Sequence, residues 1–292
     1  MKIAIIGAGE IGQAVRYLIS KKDEIRMWDK DPSKVAGEMG SLKDAVSNMD
    51  AVFVCIPSNF VRELIMEIKE IVSSDTLIIG ISKGMESATN MTNIETFKDL
   101  MPSHEMFAIV SGPMLAEEIV EGKICAAVLA SENEKALEVI SEIFNDTNLK
   151  FSMSKKPLEI ATLGILKNIY AILCGVSDGL EFGNNTKSYL ITRSISEMRK
   201  IMKELFGDDE EVFSYAGLGD FLTTSSGLFS KNYSFGYEMA KFGKSEIMSE
   251  GRISIPFFAE KLGENTKNLP LFLASQKIVS GTVVKEAFAE IL

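Results

Sequence analysis

The sequence predicts a two-part α/β protein, with a doubly wound, mostly parallel sheet in its first half and an all-helical second half. In the first half, short apolar strands alternate with helical segments, a pattern typical of parallel sheets covered by helices. From about residue 155 onwards, long helical patterns replace the strands. We therefore expect residues 1–154 and 155–292 to form separate domains, with the boundary in a loop at 151–157.

The chain begins with a strand at 2–6, followed by a glycine-rich motif, a helical segment at 13–20 and a second strand at 25–28. A GxGxxG motif is specific when it lies between a strand and a helix. Its first glycine permits a tight turn, its second lets the backbone approach a pyrophosphate, and its third allows close helix packing. The sequence therefore predicts a dinucleotide site at the N-terminus of the helix. The motif residues are Gly7, Ala8, Gly9, Glu10, Ile11 and Gly12.

Asp29 stands 17 residues beyond Gly12, at the end of the second predicted strand. A carboxylate at this position accepts hydrogen bonds from the adenosine ribose hydroxyls and repels a 2′-phosphate. This favours NAD as the cofactor. Lys30 follows immediately, and its positive charge weakens this preference, so NADP remains an alternative cofactor.

Three further strands are predicted at 50–56, 76–81 and 107–110, with a helix at 61–72. Ligands of parallel sheets bind at the carboxyl ends of the strands, so we expect the turns that follow these strands to converge on one crevice. A lysine in such a turn is either a solvated surface charge or a ligand-binding group, and its place at the crevice favours binding. The turns are Pro57-Ser58, Lys83-Gly84 and Gly112-Pro113.

Lys167 and Asn168 lie in the middle of an apolar helix predicted at 158–174. Burial of such groups without partners is costly, and the alternative is that both face solvent. Because the flanking positions are nearly all apolar, we expect Lys167 to line a cleft, where a desolvated lysine is suited to proton transfer. The apolar stretch 159–175 is shorter than the roughly 20 residues of a membrane span, so we expect a buried helix.

Composition excludes several classes of function. A net charge of −10 and a pI near 4.9 argue against nucleic acid or an anionic membrane as the main partner. Cys55, Cys125 and Cys174 lack metal-ligand spacing, which predicts reduced, packed thiols. The only histidine, His104, cannot form a multi-histidine metal site, and we expect it in an exposed turn without function. The cysteines and the single histidine therefore predict a protein without a metal site. No signal-peptide pattern is visible at the start of the sequence, so we expect a cytoplasmic protein.

Ten short segments, in this order, resemble those of the NAD(P)-dependent glycerol-3-phosphate dehydrogenases, over nearly the whole chain. They distinguish that family from related hydroxyacid dehydrogenases, which share the glycine loop and a helix-borne lysine. The resemblance implies a Rossmann domain followed by an all-α domain of the 6-phosphogluconate dehydrogenase C-terminal type. The segments are GAGEIG at 7–12, IPS at 56–58, SKG at 82–84, SGP at 111–113 with AEE at 116–118, LKN at 166–168, GVSDG at 175–179, ITR at 191–193, GLGD at 217–220, SKN at 230–232 and EG at 250–251.

The resemblance implies hydride transfer between a nicotinamide and carbon 2 of dihydroxyacetone phosphate, with Lys167 as proton donor and acceptor and Lys83 polarising the carbonyl. Asp220 either orients Lys167 or ends a glycine-rich turn. A homodimer and a role in supplying glycerol 3-phosphate for phospholipid synthesis are also implied. The substrate contacts would be Lys83, Gly112, Lys167, Asp220, Ser230, Lys231 and Asn232, the last two on the phosphate. Besides the glycine loop, Asp29 and Lys30, the cofactor contacts would be Pro57, Lys83, Ala116, Lys231 and Glu250.

Three departures from the family pattern concern substrate and rate. Lys231 replaces an arginine and lacks the bidentate fork that suits phosphate. Met114 replaces a small polar residue, which removes a possible hydrogen bond, and the shorter stretch 32–50 indicates a trimmed strand. Two other functions remain open: a dehydrogenase of another small hydroxy or oxo acid, and an NAD-binding protein without turnover.

Overall fold

The structure is a computed structural model that describes residues 1–21, 24–36, 40–227 and 229–292. Its contacts divide the chain into two compact units, Met1–Ala161 and Thr162–Leu292. The loop predicted at 151–157 is in part a strand, because Leu149–Ser154 pairs with the preceding strand along its full length.

The first unit contains a seven-stranded sheet in the order β2-β1-β3-β4-β5-β6-β7. All neighbours are parallel except β5 and β6, so the prediction of a doubly wound, mostly parallel sheet is confirmed. The chain moves outward from β1 in both directions, which places the topological switch point between β1 and β3. The strands are β1 (Lys2–Ile6), β2 (Glu24–Trp28), β3 (Ala51–Val54), β4 (Leu77–Gly80), β5 (Phe107–Ser111), β6 (Cys125–Ala130) and β7 (Leu149–Ser154).

Helices connect these strands, and their ends follow local capping chemistry. Ser41 and Thr92 each form a reciprocal capping box with the residue three positions later, which fixes the starts of α2 and α4. The described part of 32–50 holds a short 3₁₀ turn and α2 but no strand, while residues 37–39 lie outside the described residues. The helices of this unit are α1 (Glu10–Leu18), α2 (Leu42–Val46), α3 (Val61–Ile68), α4 (Asn93–Leu100), α5 (Ala116–Val120) and α6 (Glu134–Phe144).

The described residues of the second unit are helical, as predicted. Its first helix, α7 (Pro157–Gly179), begins at the end of the first unit and has 23 residues. The helix is longer than the apolar stretch 159–175, and by length and composition alone it could cross a membrane. However, 94% of its most apolar window is buried inside the protein, so the prediction of a buried helix is confirmed. The remaining helices are α8 (Gly183–Phe206), α9 (Asp220–Thr224), α10 (Lys231–Phe242), α11 (Glu250–Leu262), α12 (Pro270–Val279) and α13 (Val284–Ala289).

Glycines let α7 and α10 approach each other closely. A Cβ on Gly175 would lie 2.0 Å from the carbonyl oxygen of Tyr233, and one on Gly236 would lie 2.0 Å from that of Ile172. No other residue fits at these backbone contacts. This packing fixes the first half of α10 against the C-terminal part of α7.

Candidate functional site

The glycine loop after β1 has the geometry that a pyrophosphate requires. Gly7 has φ of 102°, and a Cβ on Gly12 would lie 1.8 Å from the carbonyl oxygen of Gly7. By contrast, a Cβ on Gly9 would meet no atom within 4 Å, so the outer side of the loop is open. Helix α1 begins at Glu10, immediately after this open position. The loop and the helix N-terminus therefore fit a bound dinucleotide.

Asp29 follows β2 and is joined to the glycine loop. Its Oδ2 accepts a hydrogen bond from the backbone N–H of Ala8 at 2.7 Å, and its Oδ1 accepts one from Asp31 at 2.9 Å. An ionised carboxylate has about four lone-pair positions, so ribose hydroxyls can still be accepted. The adjacent Lys30 is exposed, with its Nζ 3.5 Å from Oε1 of Glu63.

A cavity of about 560 Å³ opens beside these residues in the first unit. It lies at the carboxyl ends of β1, β2 and β3, which is where a dinucleotide binds in a sheet of this type. Its lining is apolar on the Trp28 and Pro57 side and charged around Asp29. The lining residues are Ile6, Gly7, Trp28, Asp29, Lys30, Lys34, Leu42, Ile56, Pro57, Phe60, Glu63, Leu64 and Glu67.

The turns after β4 and β5 meet directly. Half-buried Lys83 donates a hydrogen bond from Nζ to the carbonyl oxygen of Gly112 at 2.8 Å. Gly112 is required there because a Cβ would lie 2.3 Å from the carbonyl oxygen of Ala126 in β6. Ala116 begins α5 and, like Met114, packs at the edge of the apolar core. Packing thus accounts for a methionine at position 114.

In the second unit, Lys167 is buried within a small polar cluster. Only 8% of the residue is exposed, and its Nζ donates to Oγ1 of Thr224 at 2.7 Å and lies 3.3 Å from Oδ1 of Asp220. Asp220 is itself 3% exposed. The alternative of a solvent-facing Lys167 is therefore wrong. Because a buried charge must be paired, the carboxylate of Asp220 is what allows an ammonium to occupy this core.

Asp220 both ends the glycine-rich turn and contacts Lys167. The turn Tyr215–Gly219 is a single π-helical turn, a distortion common at functional sites. Gly217 permits it, since a Cβ would lie 2.2 Å from the carbonyl oxygen of Val212. Thr224 was not predicted from the sequence. The available signal was its spacing of four from Asp220, which places both side chains on one face of α9.

Ser230 is the N-cap of α10, where its Oγ accepts the backbone N–H of Tyr233 at 3.3 Å. Lys231 is the first residue of the helix and is exposed. A cation at a helix N-terminus is unfavourable unless an anion binds nearby. The buried Asn232 donates from Nδ2 to Oδ1 of Asn168 at 2.9 Å. The triplet therefore places one exposed cation beside a rigid helix start.

Asn232 also fixes the start of α11. Its Oδ1 accepts the backbone N–H of Gly251 at 2.7 Å, and a Cβ on Gly251 would lie 2.6 Å from the carbonyl oxygen of Asn168. Half-buried Glu250, the first residue of α11, is consequently held next to this pair. The amide of Asn232 thus joins three helices. This structural role was not predicted from the sequence.

The single histidine, His104, does not line the cavity beside Asp29. His104 is half-buried, its Nε2 is 2.9 Å from the carbonyl oxygen of Thr76, and burial lowers the pKa of the imidazole. The prediction of an exposed position was wrong, because the ring packs on Phe107 with centroids 4.8 Å apart.

The predicted packing of the cysteines is confirmed. All three are free and buried. Burial raises the pKa of the Cys55 thiol to about 12, and those of Cys125 and Cys174 to about 11. Such thiols stay protonated at neutral pH and are unreactive.

Comparison with known proteins identifies the relatives of this chain. Residues 37–137 match the family described as NAD-dependent glycerol-3-phosphate dehydrogenase N-terminus, and residues 158–289 match the corresponding C-terminus. The glycerol-3-phosphate dehydrogenase [NAD(P)+] of Thermoanaerobacter sp. is 30% identical over 310 residues, which cover 99% of this chain and 92% of that protein.

Solved structures show the same fold. The crystal structure of glycerol-3-phosphate dehydrogenase from Coxiella burnetii has a TM-score of 0.86 at 24% identity, covering 99% of this chain and 98% of that one. A glycerol-3-phosphate dehydrogenase from Plasmodium falciparum has a TM-score of 0.87 at 20% identity, covering 100% and 95%. The helical second half predicted from the sequence belongs to this shared fold.

Proposed function

Because this chain belongs to the NAD-dependent glycerol-3-phosphate dehydrogenase family and is an NAD(P)-dependent oxidoreductase of glycerol 3-phosphate, we propose that Lys167, Asp220 and Lys83 perform its chemistry. The observation that carries this proposal is the buried cluster around Lys167. A protein that only bound a dinucleotide would have no use for an ammonium group in its core, held by a carboxylate and a hydroxyl.

The nicotinamide, when bound, supplies the hydride for carbon 2 of dihydroxyacetone phosphate or accepts it from glycerol 3-phosphate. In the reducing direction, Lys167 donates a proton from Nζ to the oxygen on carbon 2 as negative charge develops there. In the oxidising direction, the neutral amine takes the proton from the hydroxyl. Thr224 and Asp220 orient Nζ, and the carboxylate stabilises its protonated form.

We assign the polarisation of the substrate carbonyl to Lys83. A lysine ammonium has three N–H donors, and one of them binds the carbonyl oxygen of Gly112. This bond restrains a side chain that is flexible by nature. A restrained positive charge stabilises the developing alkoxide without the cost of reorganisation.

We assign the phosphate of the substrate to the start of α10. Lys231 supplies a charge and the helix N-terminus supplies a favourable dipole and N–H groups. Asn232 contributes chiefly by fixing this region, because Asn168 and Gly251 engage its amide. Ser230 and Glu250 lie at the starts of α10 and α11. We also assign to Lys231 and Glu250 a contact with the dinucleotide.

We assign the dinucleotide to the loop and cavity of the first unit, with contacts from Gly7, Gly9, Glu10, Ile11, Gly12, Pro57, Lys83 and Ala116. Asp29 favours NAD over NADP by repelling a 2′-phosphate. Lys30 lies within 3.5 Å of Glu63, which offsets its attraction for that phosphate. We further propose a cytoplasmic homodimer that supplies glycerol 3-phosphate for phospholipid synthesis, and light scattering against the chain mass of 32.1 kDa tests the dimer.

The first experiment follows NADH oxidation by absorbance with dihydroxyacetone phosphate, and repeats it with NADPH. We expect Lys167→Ala to lower kcat by about 10²- to 10⁴-fold, whereas Lys285→Ala, which removes an exposed lysine of the same unit, leaves it unchanged. Preferential turnover of a phosphate-free oxo acid would identify the related dehydrogenase instead. A folded chain that binds NADH without turnover of either kind would be a non-catalytic binder.

A further inference from the structure

A buried ion pair lies outside all the residues assigned so far, in the connection that carries Lys83. Glu86 belongs to the segment between β4 and α4 and is 6% exposed. The single N–H on Nε of Arg62 is shared between the two oxygens of this carboxylate, at 2.9 Å and 2.7 Å, and the hydroxyl of Thr89 donates a further hydrogen bond. A carboxylate this deeply buried is stable only because these donors surround it.

Arg62 extends the contact to two helices. It lies in the first turn of α3, and its Nη1 donates to Oδ2 of Asp99 on α4 at 2.8 Å. The segment that contains Glu86 is therefore fastened to both helices through one guanidinium. Since α3 also carries Glu63 and Leu64 of the dinucleotide cavity, the same helix borders the cavity and holds the segment.

Two further hydrogen bonds restrain the segment on either side of Lys83. Asn93 donates from Nδ2 to the carbonyl oxygen of Ser82 at 3.0 Å, and the backbone N–H of Ser87 donates to Oδ1 of Asn59 at 3.0 Å. Asn59 belongs to the turn after β3. Lys83 thus lies in a stretch of irregular backbone that side chains fix at three points.

We propose that Glu86 is a positioning residue for the reaction, which together with Arg62 holds the turn so that the ammonium of Lys83 is correctly placed. The proposal rests on the role assigned to Lys83. Stability alone does not require this pair, because a well-packed apolar pair of similar volume is often as stable as a buried ion pair. A misplacement of about 1 Å at a polarising group costs up to about 100-fold in rate.

The test is a double-mutant cycle between Glu86→Gln and Lys83→Ala. In Glu86→Gln, an NH₂ group replaces one of the two acceptor oxygens. This donor then faces a donor of Arg62 or Thr89, so the contact that restrains the segment carrying Lys83 is weakened. We expect kcat/KM for dihydroxyacetone phosphate to fall about tenfold or more, with a smaller change in the KM for NADH, since Lys83 is only one of the contacts assigned to the dinucleotide. In the Lys83→Ala background, Glu86→Gln should have almost no further effect, because the group it positions is gone.

A matched control and a milder variant keep the test decisive. Glu132→Gln breaks an exposed ion pair, 2.7 Å long, with Lys98 of α4, and should leave all constants unchanged. If Glu86→Gln does not fold, Thr89→Val removes only one donor to the same carboxylate and enters the same cycle.

The outcomes separate the proposal from its premise. Three results would overturn the positioning role: additive effects in the cycle, an unchanged kcat/KM in the variants of Glu86 and Thr89, or a loss confined to the KM for NADH. Absence of turnover in the wild type would instead contradict the function from which Lys83 takes its role.

Discussion

Replacement of Asp220 by asparagine tests the cluster around Lys167 most directly. The substitution keeps the size of the side chain but leaves a buried ammonium without its carboxylate. At the observed separation of 3.3 Å between Nζ and Oδ1, two unit charges at an effective dielectric constant of about 20 attract by about 5 kcal/mol. Loss of one partner from a buried pair costs about 3–5 kcal/mol. We expect Asp220→Asn to lose about 3 kcal/mol of unfolding free energy and most of its turnover.

The assay combines urea unfolding, followed by circular dichroism, with steady-state NADH oxidation. Thr224→Val is the matched control for stability, since it removes a neutral acceptor of the same ammonium and should cost only about 1–3 kcal/mol. The double variant Lys167→Met with Asp220→Asn removes both charges. We expect it to regain much of the lost stability but no activity.

The reasoning would be refuted by an Asp220→Asn protein that loses less than about 1 kcal/mol and retains wild-type kcat. Equal losses of stability in the single and double variants would also contradict it. In that case the carboxylate would serve only the turn at which α9 begins.

Three further predictions concern other parts of the chain. Lys231→Arg restores a bidentate fork and should lower the KM for dihydroxyacetone phosphate about three- to tenfold; an unchanged KM in steady-state assays would remove Lys231 from the phosphate site. Gly9→Ala should fold normally and bind NADH weakly in titrations, whereas Gly12→Ala should fail to fold, because its Cβ would meet the oxygen of Gly7 at 1.8 Å; equal behaviour of the two variants would contradict the loop geometry. Burial lowers the pKa of His104 from 6.5, so the unfolded chain binds a proton more readily, and the folded state should lose stability as the pH falls from about 6.5 through the lower pKa of the folded protein. In His104→Asn, the urea midpoint should therefore change less between about pH 7 and pH 5 than in the wild type. An equal change in both proteins would show that another group is responsible.

The first five strands could be predicted because their sequences are unambiguous. Residues of β1, β3 and β4 are apolar and buried on both faces apart from Lys2, and short apolar runs between turn residues have few other interpretations. Strand β6 was missed because its sequence, CAAVLA, is half alanine, a residue with low strand propensity. Its place in the sheet comes from pairing with β5 and β7, which is information that no local window contains.

The polar contacts of the site were the least predictable part. Asn232 and Gly251 are 19 residues apart, and Asn232 and Asn168 are 64 apart, so only the folded chain brings them together. Several glycines of the motif segments permit a close backbone contact, as Gly217 does with Val212, whereas Gly9 leaves its side of the loop open. Arg62 and Glu86 carry no motif at all, and their pairing depends entirely on the positions of α3 and the connection after β4.

The cavity to which we assign the dinucleotide is lined in part by the chain's one tryptophan, Trp28. The indole emission of this protein therefore arises at a single place, beside Asp29 and the turn after β3, and at no other. Occupation of the cavity should alter that emission by contact or by energy transfer to a reduced nicotinamide. Dissociation constants for NADH and NADPH can thus be obtained optically from unlabelled protein, and the fluorescence reports on unfolding of the first unit, where Trp28 lies.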